Sequence, residues 1–111
     1  MAAASSTRGL IAGGCIGDGS SGVNVIEYVT MASLGDSIDF GDLTDNRRRG
    51  SGVSNSIRGV FAGGYTNPGS TNIIDFVIIS TLGDATDFGD LPQSSVHRLG
   101  TGSSDSHGGL G

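Results

Sequence analysis

The sequence predicts an all-β fold made of two copies of one four-stranded repeat. Three observations carry that expectation. Short segments recur in the same order along the chain, and each is bounded by Gly, Ser, Asn or Pro. No segment holds the roughly ten residues of 3.6-residue periodicity that a helix needs.

Arg8-Gly-Leu-Ile-Ala-Gly-Gly14 returns as Arg58-Gly-Val-Phe-Ala-Gly-Gly64. Asn24-Val-Ile-Glu-Tyr-Val29 returns as Asn72-Ile-Ile-Asp-Phe-Val77. Leu34-Gly-Asp-Ser-Ile-Asp-Phe-Gly-Asp-Leu43 returns as Leu82-Gly-Asp-Ala-Thr-Asp-Phe-Gly-Asp-Leu91. A looser unit pairs Arg49-Gly-Ser-Gly-Val-Ser-Asn-Ser56 with Leu99-Gly-Thr-Gly-Ser-Ser-Asp-Ser106, and Ala2-Ala-Ala-Ser-Ser-Thr7 matches its end. The expected division is 1–57 for the first repeat, opening on an inner-strand stub at 2–7. The second repeat is 58–111, with a closing inner strand at 97–106.

Each unit reads as a strand. Val25 to Met31 and Ile73 to Ile79 are apolar on both faces apart from Glu27 and Asp75. Such a strand is expected to be buried on both sides, in a sheet held between two others. The Gly, Ala and Ser unit suits a crowded position near an axis, where large side chains would collide. Four strands, small near the centre and bulkier outward, describe one blade of a β-propeller.

The double glycines Gly13-Gly14 and Gly63-Gly64 resemble those of the kelch repeat. So do the acid–aromatic pairs Glu27-Tyr28 and Asp75-Phe76, and the aromatic-x-x-Leu segments Phe40 to Leu43 and Phe88 to Leu91. Kelch blades usually carry Trp as the last aromatic, closer to the Tyr. Ser-Ser-Thr-Arg-Gly, Ala-Thr-Asp-Phe-Gly-Asp-Leu and Ser-Asp-Ser-His-Gly-Gly-Leu-Gly resemble repeats of marine bacteriophage proteins, notably of cyanophages. That resemblance implies a virion or tail-fibre component and lends little mechanism.

Two blades do not make a propeller, which usually has roughly four to eight. Alone they would expose the apolar outer faces of their sheets. The expectation is therefore a closed ring of copies. A trimer gives six blades and is favoured; a dimer gives four and a tetramer eight. The strand at 97–106 is expected to complete the first blade of a neighbour as a clasp. The alternative is a truncated or engineered propeller fragment with no ligand of its own.

Composition narrows the function. The chain has 111 residues, 21 Gly, no Trp and a net charge of −5. Gly without a G-X-Y period excludes collagen, and the hydrophobic runs argue against disorder. The negative charge disfavours nucleic acid and anionic membranes as partners. No apolar run approaches the length of a membrane span, and the first residues lack the pattern of a secretory signal. Cys15 is the one cysteine, so an intrachain disulfide is not available.

Gly17-Asp-Gly-Ser-Ser-Gly22 matches the dinucleotide-binding pattern by letter, yet a strand rather than a helix is expected to follow it. Asp39-Phe-Gly41 and Asp87-Phe-Gly89 copy a kinase triplet without its companion motifs. Asp36, Asp39 and Asp42 are mirrored by Asp84, Asp87 and Asp90. Two carboxylates of each triad, Asp36 with Asp39 and Asp84 with Asp87, are weak calcium candidates; turn formation and strand-end capping is the competing role. Arg8 and Arg58 are expected to pair with the repeated Asp residues between blades. Arg47, Arg48 and Arg49, with His97 and Arg98, are the candidate rim for an anionic ligand. His107 sits in a Gly-rich end, and neither His has metal-ligand spacing with Cys15. No nucleophile, base and orienting group call for one another. The expected function is non-enzymatic and needs no cofactor: a structural or recognition module whose ring presents loops to surface glycans. An enzyme housed on a propeller is the less favoured alternative.

Overall fold

The computed structural model describes residues 1–17, 21–66 and 69–92. The described residues form two antiparallel sheets and no helix. The strands are β1 (Ala2–Ala4), β2 (Arg8–Ala12), β3 (Cys15–Ile16), β4 (Ser21–Thr30) and β5 (Ile38–Arg47), then β6 (Ser51–Ser54), β7 (Arg58–Ala62), β8 (Ile73–Ile78) and β9 (Thr86–Asp90). The first sheet runs β1-β2-β4-β5, with the short β3 also paired to β4; the second runs β6-β7-β8-β9.

The two sheets repeat one another in register. The row Ala3, Leu10, Tyr28, Ile38 of the first corresponds to Val53, Val60, Phe76, Thr86 of the second. Even the irregularity recurs: β4 shifts register between Ile26 and Glu27, and β8 between Ile74 and Asp75. The turns repeat too. Ser5 Oγ accepts the Thr7 and Arg8 amides, and Asn55 Oδ1 accepts those of Ile57 and Arg58. A short polar side chain folding back on the backbone is what makes these sharp inner turns. Gly13 and Gly63 end their strands at φ +68° and +66°, a conformation that L side chains avoid.

The expected boundary at 57/58 falls inside the second sheet. Ser51–Ser54 pairs with β7, so the sheets divide between Arg47 and Ser51. The cause is the tight turn, which ties each inner strand to the strand that follows it. In the first sheet the inner place is held by β1, from the stub expected at 2–7. The expected closing strand at 97–106 lies outside the described residues.

The sheets stack with unlike faces together. Leu10, Ala12, Ile26, Phe40 and Leu43 of the first pack on Phe61, Val77 and Ile79 of the second, and Ala3 of β1 lies against Gly59. At the outer end the turn at Gly83 docks on β5: the Gly83 and Ala85 amides donate to the Phe40 and Asp42 carbonyls. A Cβ at Gly41 would overlap the Gly83 carbonyl, so only glycine allows this approach.

Burial on both sides was expected for β4 and β8, and among the described residues only one face of each sheet is covered. Counterpart residues therefore differ sharply. Phe61 is 0% exposed and Ile11 51%; Phe40 is 3% exposed and Phe88 54%; Ile79 is 1% exposed and Met31 55%. Phe61→Ala should cost about 3–5 kcal/mol of unfolding free energy. Ile11→Ala should cost about 1 kcal/mol or less. Urea unfolding in dilute solution checks the contrast, and similar losses at both sites would contradict the stacking order.

Candidate functional site

The chemistry of the molecule concentrates in the seam between the sheets. Asp75 is the acid in the otherwise apolar β8, and it is fully buried. A carboxylate there is tolerated only with a cation and hydrogen bonds. Arg47, at the end of β5, supplies them from the other sheet. Its Nη2 meets Asp75 Oδ2 at 2.7 Å with both side chains 0% exposed. Its Nη1 donates to the Gly63 and Ile73 carbonyls at 3.0 and 2.9 Å. Thr44 completes the set, its amide donating to Asp75 Oδ2 at 3.1 Å and its hydroxyl to Oδ1 at 2.6 Å. Burial lowers the Arg47 pKa from its ordinary value, and Asp75 and then Asp45 act against that shift.

This overturns the expectation for Arg47 as part of a ligand rim. A guanidinium is what a buried carboxylate needs, so the first arginine of the run goes inside. Arg48 is half-buried, bridges backbone-to-backbone with Tyr65, and stands 4.8 Å from the centre of its ring. Arg49 is exposed at the turn between the sheets with φ +62°. His97 and Arg98, expected beside them, lie outside the described residues, as does His107.

Arg8 and Arg58 take aromatic partners rather than the repeated Asp residues. Arg8 lies 4.6 Å from the Tyr28 ring centre and Arg58 4.8 Å from that of Phe76. Arg8 Nη1 also donates to the Ile79 carbonyl at 2.8 Å, across the seam. The aromatics continue in edge-on pairs, Tyr28 with Phe40 and Phe76 with Phe88. One Arg–aromatic column is thus in the seam, and its copy faces outward.

Among the described residues no three His, Cys, Asp or Glu side chains gather as a metal site would require. Asp84 works in the seam instead, its Oδ1 accepting the Asp42 amide at 3.0 Å. Asp36, Asp39 and Asp87 are exposed. The glycine-rich segment after Gly17 connects β3 to β4, which pair with each other, so no helix receives a phosphate there. Cys15 is exposed in β3.

An open cleft recurs in both sheets under the β4–β5 and β8–β9 turns. The first, of about 400 Å³, lies between Tyr28, Leu34, Asp36 and Ile38; its copy, of about 210 Å³, lies between Phe76, Leu82, Asp84 and Thr86. Neither the Arg47–Asp75 pair nor this cleft stood out in the sequence. The available signal was the lone acid in an apolar strand. Compared with known proteins, the chain matches no family and no curated sequence.

Arg47→Met and Asp75→Leu should each cost about 3–5 kcal/mol, because each strands a buried charge. Together they should cost less than the sum, by about 1–3 kcal/mol. A double-mutant cycle in denaturant checks this, and strictly additive losses would contradict the pair.

Proposed function

We propose that the chain is a non-enzymatic scaffold, two blades of a kelch-like β-propeller, that closes into a ring by joining copies of itself head to tail. One observation carries the proposal: each sheet leaves open the face whose counterpart the other sheet buries. The outward face of the second sheet, with Val60, Phe76 and Phe88, repeats the face of the first that is already packed. The outward face of the first, with Ile11, Glu27 and Met31, repeats the packed face of the second. A second copy therefore finds on each open face the partner that the chain itself uses. Such heterologous contacts close into rings when the rotation permits. A trimer of six blades is favoured over a dimer of four or a tetramer of eight. A virion component is the setting that the resemblance to phage repeats supports.

The recurring cleft supports a recognition role for the ring. It offers one copy of an aromatic-and-carboxylate concavity per blade, so weak contacts to a surface glycan would gain by multivalency. Glycan-array binding by the ring should fall by at least about tenfold in any variant that stays monomeric. Equal binding by monomer and ring would remove the multivalent reading.

Assembly is tested by charge placed on either open face. Phe88→Asp and Ile11→Asp should each leave the fold intact and give monomers by light scattering. Ser6→Asp, at the inner turn where Ser6 and its counterpart Ser56 are both exposed, should leave the native mass unchanged. Loss of assembly in the Ser6 variant alone would contradict the proposed faces.

A further inference from the structure

We infer that the turn at 35–37 is a docking element of assembly, which seats on the edge strand β9 of a neighbouring copy. The inference rests on the head-to-tail reading above and names a directional polar contact that apolar faces alone do not supply.

Inside the chain this contact is already made once. β5 is the outer edge of the first sheet, and an edge strand presents unpaired N–H and C=O groups. The turn of the second sheet covers it. The Gly83 amide donates to the Phe40 carbonyl at 2.9 Å and the Ala85 amide to the Asp42 carbonyl at 2.7 Å. Asp84 Oδ1 accepts the Asp42 amide at 3.0 Å. Gly41 lets the two backbones meet, because a Cβ there would overlap the Gly83 carbonyl.

Every group needed to make the contact a second time is present. Leu34 to Leu43 returns as Leu82 to Leu91 with changes only at Ser37 and Ile38. Ser37 holds the place of Ala85, which acts through its backbone amide, so that change is neutral. Asp36 holds the place of Asp84. β9 is the outer edge of the second sheet, with Phe88 and Asp90 in the places of Phe40 and Asp42.

The backbone is already shaped for docking on both sides. φ is +153° at both Gly41 and Gly89, +149° at Gly83 and +148° at Gly35. The Gly41–Gly83 pair is in close contact, whereas a Cβ at Gly89 or Gly35 would meet nothing within 4 Å. The two open halves therefore have the geometry of the joined pair, and joining them orders little new backbone. The contact is also one-way: β9 receives and the turn at 35–37 docks. A one-way contact suits head-to-tail assembly and not a two-fold dimer, in which one patch meets itself.

Sedimentation equilibrium of point variants of the full chain tests the contact. Asp36→Ala should raise the midpoint concentration of assembly about tenfold or more, through loss of a charge-assisted hydrogen bond at each seam. Asp39→Ala removes the same charge from a residue whose counterpart, Asp87, stays exposed beside the internal seam, and should leave the midpoint unchanged. Gly89→Ala probes the receiving strand and should weaken assembly at least as much, because its methyl would overlap the neighbour's Gly35 carbonyl. An unchanged midpoint for Asp36→Ala, or an equal rise for Asp39→Ala, would overturn the docking turn while leaving head-to-tail assembly in place. A wild-type chain that stays monomeric at every concentration would overturn both.

Discussion

A β-sheet that is apolar on both faces needs a neighbour on each side, and among the described residues each sheet has one. That constraint organises the molecule. It decides why Leu10, Ile26 and Phe40 are buried while Val60, Ile74 and Phe88, their counterparts, are only partly covered or exposed. Removing apolar surface from water stabilises by roughly 25 cal/mol per Å², so open faces of this kind favour cover. In the proposed ring the repeat specifies that cover: a sheet packed against its counterpart in one orientation offers the same arrangement to another copy.

Within the seam, Arg47 and Asp75 fix how the sheets meet. Dispersion and apolar burial tolerate sliding; a fully buried ion pair held by Thr44 and two carbonyls does not. At the outer rim the Gly83 turn and Asp84 add directional hydrogen bonds to β5. Glu27, the counterpart of Asp75, is exposed and accepts the Ser37 hydroxyl at 3.1 Å. In the proposed ring this carboxylate enters a seam and needs a cation. The sequence carries His97 and Arg98 ahead of the repeated inner unit, where Arg47 and Arg48 precede β6.

Much of the fold was legible because strands of one repeat declare one another. The paired segments from Arg8 and Arg58, and from Leu34 and Leu82, located β2, β7, β5 and β9 without any reference to three dimensions. The boundary was misread because Ser51–Ser54 resembles the N-terminal stub as much as it resembles an ending, and sequence similarity alone does not say which neighbour a strand pairs with. The open faces were illegible for a different reason: apolar residues on both sides of Val25 to Met31 state a preference for burial, not whether this chain supplies the cover. The arginine run misled because consecutive charges usually mark a solvated surface. Only Glu27 and Asp75, the acids in apolar strands, pointed to an internal cation, and the sequence does not say which of the two is buried.

Head-to-tail closure is tested most directly by the native mass of the unmodified chain, measured by sedimentation equilibrium. Closure gives a single species at a whole multiple of the chain mass, with three copies favoured. A folded species at the mass of one chain, persisting as concentration rises into the millimolar range, would contradict it.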